Sequence, residues 1–450
     1  MIVDRQRHIR KVAQFAFCGS LILLVSCGEE LPTAAGGRPL GVAGKPAGDP
    51  IVNSTDPPEA PRGTTLDVRV LGSGFDNGSV VDLELDGQPS EKIHTNATRY
   101  VSSRELVANL TIDPDAPVER YDVAVTTTKG KRGIGIERFA VTEFEAIDLG
   151  TLGGNSSFAL AINEAGMVMG KSTISRKNGN SLEIFAWTEA GGIQRVGSGA
   201  AEDLGENGWI VGASSSWRPG YWEKAGSLWS FVTLPFPSGV SSANARGVRP
   251  DGGVIVGNSL GGGFALLWRR SGASWSPSVL PGPSGGSCEA YRVNADEWIA
   301  GHCNGRGIVW KLDSGQWSTY PLDPLPNDSS SFPMRMNDTG DIAGWSQDAS
   351  GFVRGVLWKR NPSGWDAPLF LGTYGGYSQA LGINSQGHVV GHSQVGPDTR
   401  AFLWRSQGLE DPSSPGHGGG SAYDINSQGW IVGVQGSRAT LWRRPAAAPQ

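Results

Sequence analysis

The sequence predicts an all-β protein with two folded regions: a small sandwich, then a larger region of repeated sheets. Three observations support this fold class. A hairpin-like segment recurs seven times between residues 153 and 435. Glycine contributes 66 of 450 residues, about twice its usual share of roughly 7%. Short alternating apolar runs, separated by turn residues, fill the chain before the repeats.

The N-terminus has the features of a bacterial export signal. A basic stretch precedes the apolar run 15–25, which is too short to span a bilayer comfortably. The run ends in "LVSC" (24–27), which resembles the lipobox of bacterial lipoproteins. The resemblance implies that residues 1–27 are a signal peptide and that Cys27 is lipidated, anchoring the protein to a membrane. Gly28 follows, which by the same resemblance favours the outer membrane or cell surface. An ordinary signal peptide or an uncleaved anchor is the alternative.

Residues 28–50 are rich in Gly, Ala and Pro and predict a tether. Residues 51–142 predict a β-sandwich, because runs such as 66–70, 81–85 and 134–136 alternate between apolar and polar positions. About seven short strands in ~90 residues suit an immunoglobulin-like fold. The stretch "LDVRVLGSGFDNGSVVDLELDG" (66–87) resembles the IPT/TIG family of immunoglobulin-like domains.

Residues 143–445 contain the repeats, and 446–450 form a short tail. Each unit predicts a strand, an Asn–x–x–Gly turn, a second strand, a variable loop, a third strand ending in Trp and a fourth strand. The tryptophans are Trp187, Trp222, Trp268, Trp310, Trp358, Trp404 and Trp442. Four strands in about 43 residues is the size of a β-propeller blade, so the sequence predicts seven blades.

The ends of the repeat region predict that the ring is closed. It opens with an unpartnered strand around Ile147 and Leu149, and the seventh unit stops before its fourth strand. The first strand can therefore complete the last blade beside Leu441 and leave no open edge. The alternative, a linear solenoid, needs atypical capping repeats.

The segments "IDLGTLGGNSSFALAINEAGMVMG" (147–170) and "RAFLW" (400–404) resemble the HAF-type extracellular repeat proteins over about 300 residues. Arg400 occupies the position of the histidine in that family's tripeptide. The resemblance implies an exported repeat protein, and it brings no established catalytic residues.

His388 and His392 lie four residues apart in "GGYSQALGINSQGHVVGHS" and raise the possibility of a metal site. Other copies of the repeat place Trp, Met, Ala or Asn at these positions, so we interpret both histidines as packing residues. Likewise "NDTGD" (337–341) contains the repeat turn, which explains its acidic residues without calcium. Asp203, Asp251, Asp296 and other acidic residues are interpreted as turn residues.

Cys288 and Cys303 flank the predicted turn 294–297. If Val293 pairs with Trp298, the two cysteines face each other across antiparallel strands, within reach of a disulfide. Export to an oxidising compartment favours the bond. A metal site would need further ligands at matched spacing, and only His302 is nearby.

Charge and motifs exclude several functions. The net charge is −5, without a basic block, so nucleic-acid binding is not expected. No nucleophile elbow, HExxH, phosphate loop or EF-hand loop occurs. We therefore expect no catalytic residue, no metal site and no cofactor.

Ligand-binding residues are expected in the loops that vary between repeats, because function tends to lie on variable loops of a rigid scaffold. The candidates are Trp217, Arg218, Tyr221, Tyr374 and Tyr377, since aromatic and Arg side chains dominate recognition. Alternatively, these aromatics cover blade edges.

The predicted function is that of an exported, lipid-anchored binding protein whose partner is a glycan or an envelope protein. The alternatives are a glycan-acting hydrolase or lyase that uses the propeller mouth, and a structural envelope protein. Three or more carboxylates, or an Asp/His/Tyr group, at the central channel would favour the enzyme.

Overall fold

A computed structural model describes residues 48–176, 179–261, 263–283, 286–406, 408–413 and 419–445. The predicted signal peptide with Cys27, most of the tether (28–47) and the tail lie outside these residues. The described part consists of strands, turns and loops, and it contains no helix long and apolar enough to cross a bilayer. The all-β fold class is confirmed for this part.

The first region contains strands β1 to β9 in two sheets. The strands are β1 (Ile51–Asp56), β2 (Glu59–Pro61), β3 (Thr65–Ser73), β4 (Val80–Leu85), β5 (Gln88–Pro89), β6 (Ile93–Ser102), β7 (Glu105–Ile112), β8 (Arg120–Thr126) and β9 (Arg132–Thr142). One sheet has the order β1-β3-β7-β6 and the other β2-β9-β8-β4-β5. Residues of both sheets, such as Leu106 and Tyr121, share one buried core.

One prediction within this region is wrong. Ile134 and Ile136 were expected to alternate into the core, but their side chains are 42% and 60% exposed. The glycines beside them lie where β1 approaches: a Cβ on Gly133 would stand 1.6 Å from the carbonyl oxygen of Pro50. Close backbone approach therefore places glycine inside and isoleucine outside.

The second region forms sheets of four antiparallel strands, seven in the part of the chain that the structure describes. Sheet 1 contains β11 (Ser157–Ile162), β12 (Val168–Arg176), β13 (Gly179–Thr188) and β14 (Gly192–Gly197). Sheet 2 contains β15 (Gly199–Leu204), β16 (Ile210–Ser214), β17 (Pro219–Ala225) and β18 (Leu228–Thr233). Sheet 3 contains β19 (Ala243–Val248), β20 (Val254–Ser259), β21 (Ala265–Ser271) and β22 (Ser274–Val279).

Sheet 4 contains β23 (Cys288–Val293), β24 (Ile299–Cys303), β25 (Arg306–Asp313) and β26 (Gln316–Leu322). Sheet 5 contains β27 (Ser330–Met336), β28 (Ile342–Gln347), β29 (Val353–Trp358) and β32 (Leu369–Phe370), with a small hairpin of β30 (Arg360–Asn361) and β31 (Gly364–Trp365). Sheet 6 contains β33 (Ser378–Ile383), β34 (Val389–Val395), β35 (Asp398–Arg405) and β36 (Gly408–Glu410). Sheet 7 contains β37 (Gly420–Ile425), β38 (Ile431–Gln435), β39 (Arg438–Arg443) and β10 (Glu145–Asp148).

The sheets form a closed ring. The strand that opens the region, β10, pairs with the strand that ends it, β39, and Ile147 faces Leu441 as predicted. Sheet 7 also contacts sheet 1, where the backbone N–H of Ala439 donates to Oγ of Ser157 at 3.0 Å. The first strands of successive sheets contact one another around the whole ring. This arrangement agrees with the predicted β-propeller.

The repeated turn uses the predicted chemistry. In sheet 6, Oδ1 of Asn384 accepts hydrogen bonds from the backbone N–H of Gln386 and of His388 at 3.1 and 3.0 Å. Gly387 supplies the left-handed conformation that this turn needs, with φ of +75°. In sheet 4, Glu297 occupies that glycine's position and takes the same conformation, with φ of +58°.

Candidate functional site in the central channel

The centre of the ring is lined by the first strand of each sheet. Each of these strands contains a β-bulge, an extra residue that faces no single partner. The residue after the bulge occupies the same position in every sheet. These residues are Ala161, Asp203, Gly247, Arg292, Arg335, Gly382 and Asp424.

Four of them form an ion-pair cluster across the channel, which we call the central ion pairs: Asp203, Arg292, Arg335 and Asp424. Arg335 lies 2.5 Å from Asp203 and 3.3 Å from Asp424. Arg292 is 3.8 Å from Asp203. Because the four residues come from sheets 2, 4, 5 and 7, the cluster exists only when the ring is closed.

The carboxylates also bind backbone. The N–H of Val248 donates to Asp203 at 3.1 Å, and the N–H of Ile162 donates to Asp424 at 3.2 Å. The first strands approach closely at the glycines of the same level: a Cβ on Gly382 would stand 2.8 Å from the Cα of Asp424. The central ion pairs therefore combine two carboxylates and two guanidinium groups, with a net charge of zero, beside glycines at the same level.

Burial dominates the titration of this cluster. It raises the pKa of Asp424 above its ordinary value, against the pull of Arg335. It lowers the pKa of Arg292 to about 10, and the nearby positive charge of Arg335 adds to this effect. Burial also disfavours the charged form of Arg335, but Asp424 and Asp203 outweigh it, so the pKa of Arg335 rises. Arg335 is the cation that holds the cluster together.

A cavity of about 160 Å³ opens above the central ion pairs on the side of the Asn–x–x–Gly turns. Its rim carries Glu164, Glu206 and Asp338, which accept hydrogen bonds from backbone amides of neighbouring turns: Oε2 of Glu206 from the N–H of Glu164 at 3.0 Å, and Oδ1 of Asp338 from the N–H of Ala295 at 3.0 Å. Desolvation raises the pKa of Glu206, and the carboxylates of Glu164, Asp424 and Asp203 raise it further. This mouth is acidic.

A second set of residues, which we call the channel wall group, lies on the other side of the central ion pairs, towards the N-terminal ends of the first strands. The group consists of Glu202, Arg246, Glu289, Tyr291 and His302. Arg246 donates to Oε2 of Glu289 at 3.2 Å and lies over the ring of Tyr291 at 5.0 Å. The hydroxyl of Tyr291 and Nδ1 of His302 are hydrogen-bonded at 2.8 Å. Burial raises the pKa of Tyr291 and lowers that of His302, so both rings favour their neutral forms.

Two half-buried aromatic rings continue this wall. His302 lies 5.4 Å from Phe332, and Phe332 is stacked on Trp345 at 5.6 Å. The wall therefore offers charged and neutral hydrogen-bonding groups beside flat apolar faces, which is the composition of a ligand site.

The scaffold does not require this chemistry. The bulge position that holds Glu202, Arg246 and Tyr291 is leucine in sheets 1 and 6, at Leu160 and Leu381. Sequence reasoning missed these residues because it assigned differences between repeats to the loops. The signal was present: aligning the bulge positions shows a charged residue in sheets 2 and 3 and tyrosine in sheets 4 and 7, where sheets 1, 5 and 6 have leucine or methionine.

One acidic residue was misinterpreted. Asp203 was expected in a turn, but it lies in β15 and is 7% exposed. The repeat turn begins only at Gly205, after the strand has entered the channel.

The predicted loop candidates differ in exposure. Trp217 is 52% exposed and has a φ of +58°, which is unusual for a bulky residue. Arg218 is exposed and lies 5.4 Å from the centre of the Phe236 ring. Tyr221 is only 4% exposed and is stacked on Trp209 at 4.0 Å, so its ring is a core residue and not a surface for ligands.

Tyr374 and Tyr377 precede sheet 6, which is not a neighbour of sheet 2 in the ring. Both are half-buried. Tyr374 packs against the core between sheets 5 and 6, where burial raises the pKa of its hydroxyl. The ring of Tyr377 is edge-on to His392 at 6.0 Å. The five candidates therefore do not form one site.

His392 and the two cysteines lie in strands of sheets 6 and 4. His392 is largely buried, and burial lowers its pKa to about 4. Among the described residues, no group of three or more His, Cys, Asp or Glu is placed to hold a metal ion. Cys288 and Cys303 are disulfide-bonded. The assumed register was off by one at the turn, where Val293 pairs with Ile299, and the bulge restores the Cys288–Cys303 pairing.

No family model and no curated protein matches this chain. Solved structures similar to it include a streptogramin B lyase, with 12% identity over 67% of this chain and 98% of that chain and a TM-score of 0.47. Virginiamycin B lyase from Staphylococcus aureus has 12% identity over 68% and 100%, with a TM-score of 0.45. The β-propeller domain of Cps50 (Swd1) from Myceliophteria thermophila has 10% identity over 67% and 100%, with a TM-score of 0.46. Likeness at this level carries no inference about activity.

The channel contains the kinds of residue that the sequence analysis required for an enzyme. Asp203, Asp424 and Glu206 line one cavity, and Glu289, Tyr291 and His302 lie together in the wall. However, Arg335 is paired with both aspartates, and Arg246 is bonded to Glu289. These ion pairs occupy Asp203, Asp424 and Glu289. The remaining carboxylate is that of Glu206 at the rim, and its pKa is raised.

Proposed function

We propose that this chain is a lipid-anchored binding protein of the bacterial envelope. In this proposal Cys27 carries the lipid, residues 51–142 form an immunoglobulin-like stalk of the IPT/TIG type, and residues 143–445 form a seven-bladed propeller of the HAF-repeat type. The partner is an envelope glycan or protein, held at the centre of the ring.

The observation that carries the proposal is the channel wall group. The leucines at the same position in sheets 1 and 6 indicate that the fold does not need polar groups there. A wall of Glu202, Arg246 and Tyr291 confined to sheets 2 to 4 therefore supports a ligand at this side of the channel. Phe332 and Trp345 supply the apolar face beside them.

Binding can be tested with variants of the wall. Glu289→Gln removes a charge from a side chain that is 27% exposed, and Trp345→Ala removes an aromatic face. Both should weaken binding of envelope glycan fragments or of the purified envelope partner about tenfold or more, as for well-buried contacts. Glu223→Gln, a matched change outside the channel, should leave binding unchanged.

Equal binding by wild type, Glu289→Gln and Trp345→Ala would remove the channel from the proposal. In that case the exposed Trp217 and Arg218 on the sheet 2 loop become the site, and Trp217→Ala should reduce binding. A structural envelope protein would bind none of these partners.

Anchoring has its own test. Two acyl chains hold a protein stably, because each buried methylene contributes ~0.8 kcal/mol. Cys27→Ser should therefore move the protein from the membrane fraction to the soluble fraction. A variant that stays in the membrane would point to an uncleaved anchor.

A second candidate function is glycan cleavage. The raised pKa of Glu206, at the mouth of a cavity that also contains Asp203 and Asp424, is what a general acid requires. Glu206→Gln should abolish release of reducing ends or unsaturated ends from envelope glycans. If wild type releases none, binding without catalysis is favoured.

A further inference from the structure

A second cavity lies apart from the channel, on the side of the ring where sheet 4 connects to sheet 5. Its volume is about 370 Å³, within the range of roughly 300–1,000 Å³ that is usual for ligand pockets. Its lining includes Asp328 from the connection between the two sheets. Sheet 5 contributes Asp348 from its second-to-third-strand loop, Arg354 from β29 and Phe370 from β32.

The polar side of this cavity is preorganised. Arg354 bridges the two acids, with Nη1 2.8 Å from Oδ1 of Asp328 and Nη2 3.2 Å from Oδ2 of Asp348. The other oxygen of Asp348 accepts from the backbone N–H of Ser350 and of Phe352, at 2.9 and 3.0 Å. These bonds fix both carboxylates and the guanidinium in one orientation.

One acceptor in this cavity is unused. The side chain of Asp328 is only 4% exposed, and its Oδ2 has no hydrogen-bond partner among the described residues. A buried acceptor without a partner destabilises the fold, because it has lost its bonds to water. A ligand that donates a hydrogen bond to this oxygen would remove that cost.

The apolar side is formed by Leu325, Pro326 and the ring of Phe370. Phe370 is 42% exposed, and Phe352, which lies beside Arg354 but outside the lining, is 40% exposed. The guanidinium of Arg354 lies 4.9 Å from the centre of the Phe352 ring. An exposed ring beside oriented polar groups suits a ligand that has both an apolar face and hydroxyl donors.

The charges narrow the ligand class. Two carboxylates and one guanidinium leave a net charge of −1, so an acidic ligand would be repelled. A metal ion is also disfavoured, because Arg354 already bridges both carboxylates. We infer that this cavity binds a neutral saccharide ring, with a hydroxyl donating to Oδ2 of Asp328 and the C–H face of the sugar on Phe370. None of the channel residues takes part, so this inference is independent of the proposed function.

The test titrates the full-length chain, in detergent, with glucose, N-acetylglucosamine and glucuronate, and follows binding by saturation-transfer NMR. Glucose or N-acetylglucosamine should bind, and glucuronate should bind at least tenfold more weakly. Phe370→Ala should lower the affinity about tenfold, because an aromatic face contributes area and stacking, and Phe370→Tyr should restore it. Asp328→Asn should lower the affinity as well.

Phe264→Ala is the matched control, because Phe264 is 44% exposed at the second-to-third-strand loop of sheet 3 and does not line this cavity. It should bind like wild type. The inference is overturned if neither neutral sugar binds, if glucuronate binds as tightly as they do, or if Phe370→Ala and Phe264→Ala give the same affinity. Phe370→Ala should lower the affinity by the same factor in a Glu289→Gln background, which separates this cavity from the channel.

Discussion

The side-chain amide of Asn426 donates a hydrogen bond to the backbone carbonyl of Asn163, 263 residues earlier in the chain, at 3.3 Å. The same bond links Asn163 to Gly205, Asn294 to Asn337, Asn337 to Asn384 and Asn384 to Asn426. The turn asparagine thus has two roles. It shapes its own turn, and it ties that turn to the next sheet.

The amide series is interrupted where the repeats change. Gly205 has no side chain to continue it, and Arg249 takes the asparagine position in sheet 3. There, Arg249 forms an ion pair with Glu297 in the turn of sheet 4, which Arg269 also contacts at 2.6 Å. An ion pair therefore replaces the amide link between these two sheets.

The first prediction concerns Asn384. Asn384→Ala removes two accepted bonds and one donated bond at a buried site, so it should lower the free energy of unfolding by about 2–3 kcal/mol. Asn384→Asp keeps the acceptor for the turn but loses the donor to Asn426. The difference between the two variants therefore separates the link between sheets from formation of the turn. Chemical denaturation measures both. An Asn384→Ala variant as stable as wild type would show that the amide series is incidental.

The second prediction concerns the central ion pairs. Asp203→Asn leaves Arg335 with one carboxylate instead of two in a buried setting, so it should destabilise the fold by roughly 3 kcal/mol. The double change Asp203→Leu with Arg335→Met removes charge on both sides and should recover part of the loss. If Asp203→Asn and the exposed change Asp56→Asn have the same melting temperature, the cluster is not stabilising.

The third prediction concerns pH and His392. The folded pKa, about 4, lies below the ordinary value of 6.5 because burial disfavours the charged ring. The unfolded chain therefore binds a proton first as the pH falls. The stability due to neutral His392 is complete above pH 6.5 and is lost as the pH falls towards 4, by up to about 3 kcal/mol.

His392→Gln should flatten the dependence of stability on pH in the window from 6.5 to 4. Denaturation midpoints measured across this window for the two proteins give the answer. Equal slopes for wild type and His392→Gln would contradict burial as the cause.

The sequence was sufficient where the repeat determines the structure. Asn–x–x–Gly turns, the closing strand around Ile147 and the Cys288–Cys303 pair follow from local pattern and pairing arithmetic. The β-bulges could not be predicted in this way, because the pattern of apolar and polar residues does not show where an extra residue is inserted. The disulfide was nevertheless predicted correctly, because the one-residue error in the assumed register at the turn is cancelled by the extra residue of the bulge.

The candidate site could not be predicted from the sequence for a related reason. Asp203, Arg292, Arg335 and Asp424 are 221 residues apart from first to last and meet only because seven first strands share one axis. Their spacing along the chain shows no motif. The loop aromatics were easier to identify, yet Tyr221 proved to be core, because an aromatic near a loop is as useful between sheets as on a surface.

Closure of the ring is the claim on which the channel and both of its residue groups depend. Glu145 and Arg443 are paired across β10 and β39, and their side chains are 2.9 Å apart. In a Glu145→Cys, Arg443→Cys variant, mass spectrometry of non-reduced peptides should show a 145–443 disulfide within single chains, together with Cys288–Cys303. Free thiols at 145 and 443, or a bond formed only between chains, would contradict a closed ring.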